Sequence, residues 1–455
     1  MAILRLLFGL HAPINQKTYV VAGLLLAALK FGIDWLVVYL TTGKAWTLAA
    51  YLSPVLFMRS EAIRPAPEWV LWALVMYALP FAWIGLTMSV RRAADAGLTP
   101  WAGILFLIPG VNWLVILVLS LMPTRRNGEP FDWDAASKTS PVDLKSAILG
   151  ISLGVFLVLG MVALSVFVLG NYGWSLFIGT PLVVGMLVGF LTNRENPRSK
   201  MSTITTSSIS ISIAGLATLL FAIEGIICIL MAMPPAMIVA MAGSLVGRAI
   251  AISNISRKGN AAMTAVMFSL PILGGAETLD KESPLYEVAT TVEIDAPPSE
   301  VWHQVIHFSE LPPPPKWVQS TGIAYPIRAR LEGEGVGAVR HCEFSTGAFV
   351  EPITHWEEGV RLAFDVASQP RPMDEWSPYN HIHPPHLDGY LRSKRGEFRL
   401  IELPGGRTRL EGSTWYEVDI SPRVYWSVIT DSLIHRIHLR VLEHVKSEAE
   451  KAHKS

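Results

Sequence analysis

The stretch VEIDAPPSEVWHQVIHF (292–308) joins a strand to a helix. From Val288 to Ile294, every second residue is apolar or β-branched, and this period of two predicts a strand that is buried on one face. Two prolines and Ser299 then mark the start of a helix. The inner positions of this helix are Val301, Val305 and Phe308.

A series of strands and a long helix follow this junction. The predicted strands are AVRHCEFS, FVEPITHWEE, VRLAFDVAS, GEFRLIEL and TRLEGSTWYEVDI. The intervening PGGR (404–407) predicts a hairpin between the last two. Ser421 and Pro422 predict the start of a helix of about 28 residues that runs to near Ala449, because an apolar residue recurs at every fourth position. Such a single stripe must cover another element, and the sheet is the partner available.

This order of elements, with DAPPSEVW at the junction, resembles the START-like, polyketide cyclase-like superfamily (SRPBCC). The resemblance extends from about Tyr286 to Glu450. It implies the helix-grip fold, in which a curved antiparallel sheet wraps a long C-terminal helix and leaves a cavity for lipids, sterols, polyketides or other apolar ligands. The superfamily has no universal catalytic residues, so the resemblance assigns none.

The preceding part of the chain has the composition of a membrane protein. Only about 11% of residues 1–285 are charged, against about 25% afterwards. Runs of about 20 mostly apolar residues predict membrane spans, and they are Tyr19–Leu40, Trp69–Val90, Ala147–Leu169, Trp174–Leu191 and Ile209–Met231. Three further runs are ambiguous, namely Trp101–Leu121, Pro235–Ile252 and Ala261–Gly275. We therefore expect a multi-pass α-helical membrane protein followed by a soluble α+β domain.

Four clusters of basic residues orient these spans. They follow Val90, Leu121, Leu191 and Val246, and the positive-inside rule places all four in the cytoplasm of a bacterial inner-membrane protein. This requires Trp101–Leu121 to be a hairpin and MAMPPAM (231–237) to be an outward turn. If Ala261–Gly275 crosses, the last domain is periplasmic, which we expect; if it lies in the interface, that domain is cytoplasmic. The predicted domains are 1–135, 136–276 and 285–451.

The block from Asn15 to about Pro130 resembles a small bacterial inner-membrane family of unknown function. The resemblance rests on a polar NQKTY start, two spans, the motif RRAADAG (91–97) with Arg91, Arg92, Asp95 and Gly97, and a proline-broken apolar run. That family's pattern usually has an aromatic or aliphatic residue and a histidine before the aspartate, where this chain has two alanines. Since the family has no assigned activity, the resemblance implies a location only.

Three charged residues lie within the predicted spans. Lys30 and Asp34 are four residues apart, which predicts an ion pair on one helix face. Glu224 has no charged neighbour in sequence, so it is either a carboxyl that bonds to a neighbouring helix, the interpretation we favour, or a proton or ligand site.

The segment HIHPPHLD (381–388) concentrates His381, His383, His386 and Asp388. Three imidazoles and a carboxylate could ligate zinc with one position left for water. The Pro-Pro pair is unlike the helices or tight turns that carry zinc ligands, so we favour a rigid loop whose histidines bond to backbone and carboxylates. No cofactor is expected on this interpretation.

Candidate ligand contacts are aromatic and polar residues of the last domain: Trp317, Tyr325, His341, Glu343, Trp376, Tyr379 and Tyr390. We expect a membrane-tethered protein that holds an apolar small molecule or lipid. The alternatives are a membrane-anchored cyclase, hydrolase or metal-dependent hydratase that uses the His381 cluster, and a sensor or assembly partner. The 37 basic and 37 acidic residues show no basic excess, which argues against nucleic-acid binding. The sequence leaves the oligomeric state open.

Overall fold

The structure of the protein is a computed structural model. The structure describes residues 6–10, 12–53, 56–64, 66–125, 144–253, 256–279, 283–379 and 382–454. They form two compact units. The first comprises residues up to Val168, Ser175–Leu273 and Ser377–Ile382, and the second comprises Leu169–Trp174, Gly274–Trp376 and residues from His383 onward. The predicted domain boundary between residues 135 and 136 lies outside the described residues.

The first unit consists of helices. Their bounds are α1 Gln16–Thr42, α2 Leu48–Leu52, α3 Leu56–Ala62, α4 Glu68–Asp95, α5 Trp101–Ile104, α6 Val111–Leu121, α7 Leu144–Val162, α8 Thr180–Asn193, α9 Lys200–Leu220, α10 Ile226–Ile252 and α11 Ser256–Glu277. Among the described residues, six helical segments are long and apolar enough to cross a membrane: Gln16–Thr42, Ala73–Asp95, Leu144–Val168, Ser175–Asn193, Lys200–Leu220 and Ile226–Ile252. The prediction of a multi-pass membrane protein is confirmed.

One predicted span and one predicted turn are wrong. The sequence predicted a span over Ile209–Met231 and a turn at 231–237, but α9 ends at Leu220 and α10 begins at Ile226. The chain turns instead at Ala222, which has a positive φ of 56°. Prolines 234 and 235 lie inside α10, as membrane helices can tolerate when neighbouring groups satisfy the freed carbonyls. Hydropathy could not locate the break because the run is apolar on both sides of it.

Close contact between α8 and α10 depends on glycine. A Cβ atom added to Gly189 would lie 2.0 Å from the carbonyl oxygen of Ser244, and one added to Gly247 would lie 2.0 Å from that of Met186. Glycines four residues apart on each helix, Gly185 and Gly189 on α8 and Gly243 and Gly247 on α10, therefore allow the two backbones to pack in contact. Gly160, by contrast, has open space where a Cβ would be.

The second unit contains a seven-stranded antiparallel sheet. Its strands are β1 Leu285–Ile294, β2 Pro326–Glu332, β3 Val339–Phe344, β4 Gly347–Glu357, β5 Arg361–Asp365, β6 Leu391–Leu403 and β7 Arg407–Val418, in the spatial order β1-β7-β6-β5-β4-β3-β2. The predicted hairpin joins β6 to β7, and Gly405 and Gly406 in its turn have the positive φ that glycine adopts without strain.

Three helices complete the unit: α12 Pro298–Ile306, α13 Lys316–Ser320 and α14 Arg423–Lys454. The inner positions predicted for the first helix, Val301 and Val305, are fully buried, and Trp302 lies beside them. Val441, Leu442 and Val445 of α14 pack into the same core. A curled sheet closed by a long terminal helix confirms the expected helix-grip fold.

Candidate ligand-binding site

A cavity lies between the sheet and α14. Its volume is about 120 Å³, and strands β3 to β7 form one wall while α14 forms the other. The apolar part of the lining includes Phe344, Phe349, Phe364, Phe398, Ile437 and Leu442. Gly396 makes room for this wall, because a Cβ there would lie 2.4 Å from the ring of Phe364. An apolar cavity with a few polar groups is the usual form of a small-molecule site.

A buried ion pair forms the polar part of the wall. Arg340 on β3 and Glu351 on β4 lie directly opposite each other in the strand register, and their side chains form a salt bridge. Arg340 is 2% exposed and Glu351 5%. Burial alone lowers the pKa of Arg340, but the Glu351 carboxylate more than offsets this and raises it. Arg340 therefore keeps its charge.

Aromatic rings surround the Arg340 guanidinium. The ring centroids of Phe308, Phe364 and Phe398 lie 5.5, 5.3 and 5.5 Å from its central carbon, within the range of cation–π attraction. The cation is thus stabilised by one carboxylate and by ring faces rather than by water.

Cys342 and His438 also line the cavity, and neither titrates near neutral pH. Burial raises the pKa of the Cys342 thiol to about 12. Burial and the neighbouring His435 lower the pKa of His438 to about 4. The His438 ring is held at both nitrogens, with Nε2 2.8 Å from the hydroxyl of Thr414 and Nδ1 3.2 Å from that of Thr290. At neutral pH the thiol is protonated and the imidazole is neutral.

Glu397 is the other carboxylate of the lining. Arg361 Nη2 lies 2.7 Å from it, and Arg399 binds its second oxygen. Although burial raises the pKa of Glu397, the hydrogen bonds from these two arginines hold it below the usual value. This carboxylate is ionised and already paired.

The two β3 residues predicted as ligand contacts lie outside the cavity. Arg340 and Cys342 take the cavity-facing positions, and since neighbours on a strand point to opposite faces, His341 and Glu343 point away. Glu343 forms a 2.6 Å ion pair with Arg328. His341 Nε2 lies 3.6 Å from a carboxylate oxygen of Glu332.

The predicted aromatic contacts also lie elsewhere. Trp317 and Trp376 are 67% and 57% exposed. The Tyr325 ring lies 5.9 Å from the guanidinium of Arg440. The hydroxyls of two other tyrosines donate hydrogen bonds to backbone carbonyls, and these pairs are Tyr379–Leu220 and Tyr390–Gly170.

The histidine-rich segment is described only in part, because His381 lies outside the described residues. Arg371 Nη1 lies 2.9 Å from Nδ1 of His383, and Arg371 Nε lies 3.1 Å from Asp388. His386 Nε2 is 3.9 Å from Glu375. A guanidinium between His383 and Asp388 adds positive charge there, which disfavours a divalent cation at these two ligands.

Lys30 and Asp34 form the ion pair that their spacing predicted. Lys30 Nζ lies 2.5 Å from Asp34 Oδ2, and Asp34 is 3% exposed. Glu224 is half-buried in the break between α9 and α10, not inside a span.

Arg91 and Arg92 join separate segments of the first unit. Arg91 donates to the backbone carbonyls of Leu6, Gly9 and Ala12 in the segment before α1. Arg92, fully buried, pairs with Asp95 at 2.7 Å and donates to the carbonyls of Leu119 and Met122 at the end of α6. The last carbonyls of a helix have no partner within it, so Arg92 satisfies them.

Residues 7–133 match a known family. Its description is "Protein of unknown function (DUF805)". The match confirms the resemblance predicted for the block from Asn15 to about Pro130. It includes the RRAADAG motif, whose two arginines hold the ends of neighbouring segments together. Among curated proteins, none matches the chain.

Solved structures resemble the C-terminal part. Norcoclaurine synthase from Thalictrum flavum, in complex with dopamine and hydroxybenzaldehyde, is 13% identical and covers 38% of this chain and 90% of its own, with a TM-score of 0.26. The Zhui aromatase/cyclase from a Streptomyces species is 16% identical over 37% of this chain and 95% of its own, with a TM-score of 0.24. The protein XoxI from Bacillus cereus is 16% identical and covers 35% of this chain and 93% of its own, with a TM-score of 0.24. At these values the likeness assigns neither a ligand nor an activity.

The sequence interpretation missed the Arg340–Glu351 pair. A signal was present, since AVRHCEFS places Arg340 in alternation with Cys342 and Phe344, both suited to a buried face. The predicted contacts His341 and Glu343 have the opposite phase of the same strand. A charged residue on an apolar face of a strand was the informative observation.

Proposed function

We propose that this chain is a membrane-tethered binding protein that holds an apolar small molecule or lipid in the cavity of its C-terminal domain. The observation that carries the proposal is the aromatic-lined cavity between β3–β7 and α14, which contains one internally neutralised ion pair. Such a wall offers contact area to an apolar guest.

The protonation states of the polar groups in the cavity favour ligand binding over acid–base or nucleophilic catalysis. General acid–base catalysis is most effective when the pKa of the group is near the working pH. With pKa values of about 12 and about 4, Cys342 and His438 are far from neutrality in opposite directions. A thiol that stays protonated is also a poor nucleophile.

The tether is the helical first unit. We infer a bacterial inner-membrane location, with the basic clusters after Val90, Leu121, Leu191 and Val246 in the cytoplasm. Replacing the outward turn at 231–237 by the break at 221–225 leaves this topology unchanged. Tethering raises the effective concentration of the binding domain near the bilayer.

The side of the membrane depends on α11. We propose that α11 crosses, which would place the C-terminal domain in the periplasm. α11 is 22 residues long, or about 33 Å. Its apolar part, Met263–Glu277, is shorter than the six candidate spans, so a crossing would leave its N-terminal residues in the polar interface. Arg257 and Lys258 stand near its start and Glu277 at its end, an order that suits a cytoplasmic start. Alkaline phosphatase fused after Ser455 would be active if this is right, and a fused fluorescent protein that matures only in the cytoplasm would be dark.

The binding proposal is tested by filling the cavity. The full-length protein is purified in nanodiscs, extracted with organic solvent and analysed by mass spectrometry for a stoichiometric apolar molecule. Ile437 lines the cavity, and Ile437→Trp places an indole in it. Ile401 is 44% exposed on β6, so Ile401→Trp is the matched control.

We expect the molecule in the wild type and the Ile401→Trp control, and its loss from Ile437→Trp. Adding the molecule back at about 100 times its Kd should stabilise the domain by about 2.7 kcal/mol. This corresponds to a rise in Tm of roughly 5–10 °C for a domain of this size. A wild-type preparation with no bound molecule and no ligand-dependent rise in Tm for any lipid or apolar compound would reject the proposal.

A further inference from the structure

A connection between two membrane helices belongs to the second compact unit. Residues Leu169–Trp174 join the candidate spans Leu144–Val168 and Ser175–Asn193, yet they cluster with the C-terminal domain. Irregular backbone is not found exposed to lipid within the hydrocarbon region, so this short loop lies at a membrane surface. The second unit therefore includes a segment whose depth the bilayer itself fixes.

Tyr172 is the central residue of this loop. Its side chain is buried, and the centroid of its ring lies 5.4 Å from that of His386 and 5.0 Å from that of Tyr390. Its backbone forms a parallel β-bridge with Ile420, and its carbonyl accepts a 2.8 Å hydrogen bond from the amide of Ser421. The loop thus has both the side-chain burial and the backbone pairing of an integral part of the domain.

The end of α11 lies beside the same loop. A Cβ atom added to Gly173 would lie 1.9 Å from Oε2 of Glu277, the last residue of α11. Nearer the start of α11, Met263 packs in a cluster with Leu191 and Ala251, close to where α8 and α10 end. α11 therefore extends from the membrane face at which α8 ends to the face at which it begins.

We propose that the loop Leu169–Trp174 is a second membrane anchor of the C-terminal domain, with Tyr172 as the anchoring side chain. The domain is then held at two points rather than by α11 alone. Three candidate spans, α8, α9 and α10, separate the loop from α11, so the domain and the loop share a membrane face because α11 is a fourth crossing. The anchor goes beyond the proposed function and does not depend on any ligand.

Cysteine labelling of intact cells tests which face the domain shares. Three variants of the full-length protein each carry one added cysteine at an exposed position: Trp174→Cys in the loop, Glu402→Cys on β6 and Asn196→Cys between α8 and α9. We expect the first two to react alike with a membrane-impermeant maleimide and the third to react oppositely, while all three react after permeabilisation. The wild type supplies the background from Cys228 and Cys342. Opposite labelling of Trp174→Cys and Glu402→Cys would overturn the proposal.

A disulfide tests the anchor directly. Tyr172→Cys with Ile420→Cys places two cysteines on bridged backbones about 5 Å apart, within reach of a disulfide. The control combines Tyr172→Cys with Glu402→Cys, which is roughly 40 Å along β6 from Tyr390. After oxidation and digestion, mass spectrometry should detect the linked peptides in the first pair and not in the second. A first pair that stays reduced would contradict the anchor.

Tyr172→Ala tests the anchoring side chain. We expect the amide of Ser421 to exchange its hydrogen about tenfold faster, because the buried ring holds this contact closed, while the amides of β5 keep their rates. Trp174→Ala is the matched control, since Trp174 lies in the same loop but is 52% exposed, and it should leave Ser421 unchanged. Unchanged exchange of Ser421 in Tyr172→Ala would remove Tyr172 from this role.

If Tyr172→Ala fails to fold, the labelling and the disulfide still decide. A negative result in all three experiments would leave ligand binding by the cavity standing, because none of them measures it.

Discussion

Removing the negative charge of Glu351 should destabilise the C-terminal domain strongly. In Glu351→Gln the side chain keeps nearly its shape, but Arg340 remains buried with a charge that no carboxylate neutralises. Breaking a buried pair in this way costs about 3–5 kcal/mol. For a domain of this size, that lowers Tm by roughly 6–20 °C.

A second pair on the same sheet provides the control. Arg328 and Glu343 also lie opposite each other on neighbouring strands, at 2.6 Å, but their side chains are 37% and 28% exposed. Exposed pairs contribute about 0.2–1 kcal/mol, so Glu343→Gln should shift Tm by no more than roughly 4 °C. The two substitutions are chemically identical and differ in the burial of the pair.

The assay is differential scanning calorimetry of the full-length protein, read at the transition of the C-terminal domain. The double variant Arg340→Met with Glu351→Leu removes both charges and should recover most of the lost stability, because apolar replacement of a whole buried pair is close to neutral or stabilising. If Glu351→Gln and Glu343→Gln shift Tm equally, the Arg340–Glu351 pair is not the buried, water-excluded element described here.

Three further predictions concern other residues. His438 has a pKa near 6.5 in the unfolded chain and about 4 in the folded one, so its neutral form contributes about 3 kcal/mol to the free energy of unfolding above pH 6.5, and this contribution is lost as the pH falls towards 4. Urea titrations at several pH values should show this loss, and His438→Gln should make the free energy of unfolding less dependent on pH in this range. Gly189→Ala should weaken the contact between α8 and α10 and lower the yield of folded protein, whereas Gly160→Ala should not; size-exclusion profiles in detergent distinguish them. Arg92→Ala should leave the carbonyls at the end of α6 without a donor and expose residues 111–122 to faster hydrogen exchange, and unchanged exchange would contradict the joining role.

Some features could be predicted from local sequence because their signals are local. The alternation from Val288 to Ile294, the prolines of the following junction and the glycines of the β6–β7 turn each restrict the backbone where they stand. The apolar runs likewise located four of the six candidate membrane helices, since a bilayer imposes a length on them.

The position of the break at Ala222 was not predictable in this way. The run from Ile209 onward is apolar through and beyond the turn, so hydropathy predicts membrane depth but not where one helix ends. Pro234 and Pro235 predicted a turn, but they lie inside α10. Packing in the helical unit, rather than local propensity, decides whether a proline ends a membrane helix.

The sequence by itself determined that a helical membrane protein precedes a strand–helix–strands–helix domain, because periodicity and composition act over neighbouring residues. Only the tertiary structure decided which phase of β3 faces the cavity, and so that Arg340 rather than His341 reaches it. A strand's two faces are equivalent until another element covers one of them, and here α14 covers the face that carries Arg340.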